Sequence, residues 1–85
     1  MRDLEASIRR YLATFHPGGR AAIAKLSPTT NLWTEVSSLT MLQLVAYLEQ
    51  KFEIQVRPID FAPQNFSTIA AITKFVASRR SPQLP

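Results

Sequence analysis

The chain has 85 residues, 46% of them hydrophobic and 19% charged, which suits one small folded domain and argues against a disordered tract. It contains no cysteine, so the polypeptide supplies no disulfide, thiolate metal site or thiol nucleophile. Ten Lys and Arg against six Asp and Glu give a formal charge of +4. The cations are scattered, however, with only Arg9-Arg10 and Arg79-Arg80 adjacent, so nucleic-acid binding is not the expectation.

Residues 3–15, DLEASIRRYLATF, set Leu4, Ile8, Tyr11, Leu12 and Phe15 at helical spacing, with Asp3 as the expected N-cap. Charged residues from Arg2 to Arg10 interrupt any apolar run here, so no cleavable secretory signal is expected. The pattern breaks at HPGG, residues 16–19. Residues 20–26, RAAIAKL, suit a short turn of helix, and SPTTNLW, residues 27–33, reads as loop with Leu32 and Trp33 tucked onto the core. A second strong helix is predicted from Ser38 to Phe52. The longest apolar run, Leu44 to Leu48, lies within it and is far too short to span a membrane, so a soluble, cytoplasmic protein without membrane association is expected.

The stretch EIQVRPIDFAPQNF, residues 53–66, carries Pro58 and Pro63 and is expected to be loop with at most a short helical turn. EIQV alternates like a strand but has no candidate partner, and lone strands do not persist. The last helix is predicted from Thr68 to Ser78, capped by Ser67, with Ile69, Ile72, Phe75 and Val76 facing the core. The predicted fold is all-α, with three main helices and one short helix forming a single domain over residues 1–78. A flexible tail is expected over residues 79–85.

The second strong helix carries more apolar surface than a small bundle needs. Met41, Leu44, Val45, Leu48 and Phe52 share an arc of about 100°, enough to reach the other helices. Leu39, Leu42 and Ala46 fall on a neighbouring arc about 60° wide, with Ser38 between the two arcs at the helix start. An apolar strip beside a helix-terminal serine suits a place where something docks. The free N–H groups and partial positive charge of a helix start would also favour an anion, such as a phosphodiester, on the Ser38 hydroxyl. A serine before a helix is equally an ordinary N-cap contributing about 1 kcal/mol. The two readings are compatible, with Ser37 as the cap and Ser38 as the bearer.

From Thr30 to Ala77 the chain resembles the acyl and peptidyl carrier proteins. The resemblance rests on NLW, on SSLTMLQLVAYLEQKFEIQV and on NFSTIAAITKFV. Ser38-Leu39 matches the family's Ser-Leu pair, Leu48 to Ile54 matches the exit of its second helix, and Phe66 to Ile69 matches the start of its last. The resemblance implies a four-helix bundle and a 4′-phosphopantetheine group on Ser38, transferred from coenzyme A by a phosphopantetheinyl transferase. It also implies an acyl or aminoacyl cargo held as a thioester and shown to loading and downstream enzymes, so the reactive sulfur that the polypeptide lacks is supplied by the cofactor.

The chain departs from the family pattern twice. Ser37 stands where Asp is usual, and the chain is basic where typical fatty-acid carriers are acidic. Partners would therefore engage the strip of Leu39, Leu42 and Ala46, or bring acidic groups to Arg57. A discrete, monomeric carrier in a specialised biosynthetic pathway is the expectation.

Little else in the sequence suggests chemistry. His16 is the only histidine and sits in the Pro-Gly loop, so no metal site is expected. The six carboxylates show no catalytic spacing, and the only glycines, Gly18 and Gly19, make neither a phosphate loop nor a nucleophile elbow. No enzymatic activity is expected. The alternative readings are a small basic helical domain with its last helix in a nucleic-acid groove, and an unmodified carrier-like module used only for protein docking.

Overall fold

The computed structural model describes residues 2–80, and for Arg2 the backbone alone. Its elements, in chain order, are α1 (Arg2–Phe15), α2 (Gly19–Ala24), a 3₁₀ turn (Leu32–Thr34), α3 (Ser38–Phe52), a second 3₁₀ turn (Pro58–Asp60), α4 (Pro63–Phe66) and α5 (Ile69–Arg79). No strand occurs among the described residues: Glu53 closes α3 in a turn, and residues 54–57 carry no regular structure. The all-α expectation is met, with two short helices, α2 and α4, accompanying the three main ones.

Helix α1 buries Leu4, Ile8 and Leu12 along one stripe, as the i, i+4 spacing requires. It begins at Arg2, which puts Asp3 inside the first turn rather than at the cap. Tyr11 is half-buried, and Phe15 at the end of the helix is 44% exposed.

The turn into α2 depends on both glycines. A Cβ on Gly18 would lie 2.5 Å from Ala22 Cβ, and Gly19 adopts φ +65°, a left-handed conformation that costs glycine nothing. The Gly18 N–H donates to His16 Nδ1 at 2.9 Å, which leaves His16 a turn-forming residue. Arg9 then fastens α2 to α1. Its Nε meets Glu5 Oε2 at 3.0 Å, while its Nη1 donates to the Ile23 carbonyl, one of the last-turn acceptors of α2, at 2.8 Å.

The core is one cluster in which Ile8, Leu12, Ile23, Leu32, Met41, Leu44, Leu48, Phe66, Ile69, Ile72 and Val76 are essentially inaccessible to water. Helix α1 packs against α2, α3 and α5, and α4 packs against α5. An aromatic chain crosses the bundle from Trp33 to Phe61 (5.7 Å between ring centroids), Phe61 to Phe66 (5.2 Å) and Phe66 to Phe75 (5.3 Å).

Two further local expectations are corrected. The cap of α5 is Thr68, whose side chain accepts from the Ala71 N–H at 3.0 Å. Ser67 instead ends α4, donating its N–H to the Pro63 carbonyl at 2.9 Å. Leu32 is buried, but its neighbour Trp33 is 37% exposed and leans on Phe61.

Two residues of the expected tail pack on the fold. Arg79 is the last residue of α5 and binds Asp60, and the Arg80 guanidinium lies 5.3 Å from the Phe52 ring centroid. The remainder of that predicted tail, residues 81–85, lies outside the described residues.

Candidate functional site

The loop that leads into α3 is stitched to the start of α5 by two backbone hydrogen bonds, from Leu32 N–H to the Ser67 carbonyl (2.7 Å) and from Ala70 N–H to the Pro28 carbonyl (2.9 Å). Burial of Leu32 between them pins the loop to the core. The Val36 N–H closes back onto the Leu32 carbonyl at 2.9 Å. The entry to α3 is thereby held by covalent and hydrogen-bonded neighbours on both sides.

At that entry the two serines divide the work. Ser37 is extended (φ −78°, ψ 161°), and its Oγ accepts from the Thr40 N–H at 3.1 Å while lying 3.0 Å from Thr40 Oγ1. Its carbonyl accepts from the Met41 N–H at 3.0 Å. Ser37 is therefore the N-cap, with the usual geometry for that role.

Ser38 is the first helical residue and is exposed, and among the described residues its hydroxyl has no hydrogen-bond partner. The N–H groups of Ser38 and Leu39 are the two at this helix start that no cap takes. No acidic residue lies in the first turn of α3 to oppose a bound anion. A reachable hydroxyl, two free donors and the positive end of a fifteen-residue helix suit attachment of a phosphate-linked group.

The two arcs of α3 separate as their spacing predicts. Met41, Leu44 and Leu48 are buried, with Val45 and Phe52 partly so, whereas Leu39 is 65% exposed, Leu42 is 55% exposed, and Ala46 is exposed. An apolar strip thus runs up α3 from beside Ser38. Ile59, in the second 3₁₀ turn, is a further exposed aliphatic side chain at 77%. Its place after a proline in an irregular loop left no periodicity by which to find it.

Arg57 is paired with Asp60 while its side chain stays 59% exposed. Its backbone N–H and its Nε both donate to Asp60 Oδ2, at 3.0 and 3.1 Å, and its Nη2 lies 3.3 Å from Oδ1. Asp60 is 5% exposed and also receives Arg79. These partners hold its carboxyl down to about 2, the largest cause being the hydrogen bonds from the Arg57 side chain, then that from the Arg57 N–H. The attraction of the Arg57 and Arg79 charges adds to this, and burial opposes it.

The family described as phosphopantetheine attachment site matches residues 22–76, a span that takes in Ser37, Ser38, the strip on α3 and most of α5. The chain belongs to this family. No curated protein and no solved structure gives a significant match. The family is that of acyl and peptidyl carrier domains, which bear covalently attached 4′-phosphopantetheine and work with phosphopantetheinyl transferases and biosynthetic enzymes. For this carrier domain, no group of three or more metal-binding side chains occurs among the described residues. No helix among them is long and apolar enough to cross a membrane.

Proposed function

We propose that Ser38 is the residue that carries the 4′-phosphopantetheine arm, and that the domain serves as a monomeric, cytoplasmic carrier of acyl or aminoacyl groups in a specialised biosynthetic pathway. The observation that carries this reading is the division of labour at the start of α3. Ser37 takes the cap, and Ser38 keeps an exposed hydroxyl free of any partner among the described residues.

The arm supplies a terminal thiol on which cargo is held as a thioester. The polypeptide's own work is positional. Ser38 offers the nucleophilic oxygen, and the free N–H groups of the first turn of α3 hold the phosphodiester charge. The buried core of α3 and its stitched loop keep that oxygen in one place on the surface. Tethering confines the cargo to the neighbourhood of each docked enzyme, which raises its effective concentration without any new contact to the cargo. The domain itself breaks and makes no bonds of the cargo.

Partner enzymes dock on Leu39, Leu42 and Ala46, the apolar strip that begins one residue from Ser38. Apolar contact suits this carrier because α3 has no acidic residue in its first turn, and acidic groups of a partner would meet Arg57, whose side chain is 59% exposed beside Asp60.

The test is incubation with coenzyme A and a broad-specificity phosphopantetheinyl transferase, followed by intact-mass measurement. Wild type and Ser37→Ala are expected to gain one phosphopantetheine, and Ser38→Ala none. Absence of any gain with several transferases, while a control carrier is modified, would overturn the reading.

A further inference from the structure

Once the chain folds, Arg20 joins Arg9 and Arg10 around one opening. Helices α1 and α2 lie against each other, and between them is a pit of about 120 Å³ lined by Arg9, Arg10, Ala13, Arg20, Ile23 and Ala24. A wider, shallower depression of about 480 Å³ adjoins it and shares Arg10, Ala13 and Arg20. The floor is aliphatic, with Ile23 only 1% exposed.

The rim is cationic and largely unanswered. The Arg9 guanidinium is already spent on Glu5 and the Ile23 carbonyl. Arg10 and Arg20 are exposed, one from each helix. Arg10 makes a single 3.3 Å bond to the Ser7 hydroxyl, and Arg20 makes no hydrogen bond or ion pair among the described residues. No acidic residue lines either hollow.

We propose that this face docks an acidic protein segment, which sets one aliphatic side chain into the pit and carboxylates against Arg10 and Arg20. Size and charge select this occupant together. The pit has room for one leucine or valine side chain and little more. Two guanidinium groups on different helices suit carboxylates on both sides of that side chain.

Other occupants match less of the site. Nucleic acid brings anions but no aliphatic side chain for the pit. A lipid surface calls for a broad apolar face, whereas the exposed Phe15 stands about 200° around α1 from Ala13. A second copy of this chain is repelled by its charge of +4, and Leu4, the one aliphatic residue it sets between two acids, is buried. The site shares no residue with Ser38 or with the strip of Leu39, Leu42 and Ala46. A protein held at α1 and α2 therefore keeps the carrier tethered without occupying the surface that other enzymes use. This holds whichever serine bears the arm.

The test is an NMR titration of the whole protein with a short blocked peptide that has one leucine between two runs of glutamate. The methyls of Ala13, Ile23 and Ala24 and the Nε–H groups of Arg10 and Arg20 should shift together and saturate, while those of Leu39, Leu42 and Ala46 stay in place. Replacing the peptide's leucine by serine should weaken binding about tenfold, through the lost apolar burial. An Arg10→Gln/Arg20→Gln variant with an otherwise unchanged backbone spectrum should bind about tenfold more weakly at low salt. The comparison of the two peptides on wild type stands even where that variant fails to fold. Shifts absent from the pit or confined to α3, equal affinity for the serine peptide, or equal affinity of the folded variant would each overturn the proposal. Tighter binding to phosphatidylglycerol vesicles than to the peptide, with the same dependence on the two arginines, would overturn it in favour of a lipid surface.

Discussion

Asp60 and Arg79 stand 19 residues apart in the chain, yet Arg79 Nη2 donates to Asp60 Oδ1 at 2.9 Å. The Arg57 backbone and guanidinium close on the same carboxylate from the other side. One nearly buried acid thus joins the loop after α3 to the end of α5, and the Asn65 carboxamide adds a bond to the Asp60 carbonyl at 2.9 Å. Because removal of one partner strands the others, the clasp is more sensitive to loss of Asp60 than to loss of either arginine.

The clasp has an acid limb. The carboxyl of Asp60 titrates at about 2 in the folded chain against 3.8 for an unperturbed aspartate, so across that interval the unfolded state binds more protons. Stability from this group is complete above about pH 4 and is lost as pH falls toward 2. Acid titration of thermal unfolding should show that slope in wild type. Asp60→Asn, less stable at neutral pH, should lose this group's share of it, and a variant with an unchanged acid limb would contradict the assignment.

Thr73 offers the opposite case. Its side chain is buried in α5 (5% exposed), and its hydroxyl has no hydrogen-bond partner among the described residues. Replacing an unsatisfied buried hydroxyl by a methyl of the same shape removes a desolvation cost, so Thr73→Val is expected to stabilise the fold by about 1 kcal/mol. A denaturant titration should show a raised midpoint at constant slope.

Helix α3 ends on Glu53 at φ 54°, ψ 47°, a left-handed conformation that side chains other than glycine adopt at some cost. Glu53→Gly should therefore stabilise the protein by about 0.5–1 kcal/mol, as a glycine after a helix usually does. A thermal melt is a sufficient check. Destabilisation would show that the Glu53 side chain makes a contribution larger than the backbone relief.

Leu42 and Leu44 are two residues apart and face opposite fates. Leu42 is 55% exposed on the strip and Leu44 is fully buried. Leu42→Asp should weaken partner enzymes and leave the circular dichroism of the helices nearly unchanged. Leu44→Ala should destabilise by about 2–5 kcal/mol. Unfolding of the Leu42 variant would mean that the strip is part of the core.

The contrast between those leucines was legible in the sequence because α3 is long enough for the period of 3.6 residues to separate its faces. So was the pairing of a capping serine with a free one, since the pattern admits only two residues at that helix start. Other features had no local signal. Ser67 and Thr68 are adjacent polar residues, and only the Pro63 carbonyl, which takes the Ser67 N–H, decides that Thr68 is the cap of α5. The partnership of Asp60 with Arg79 depends on how α5 returns over the preceding loop, which residue spacing does not encode. Trp33 follows a residue that is wholly buried and turns outward because the short 3₁₀ turn places neighbours on different sides.

The most direct measurement is localisation of the added mass by fragment-ion mass spectrometry on wild-type protein modified with coenzyme A and a transferase. The account predicts phosphopantetheine on Ser38, with fragments that end at Ser37 unmodified. Mass found on Ser37, or on any other hydroxyl, would contradict it.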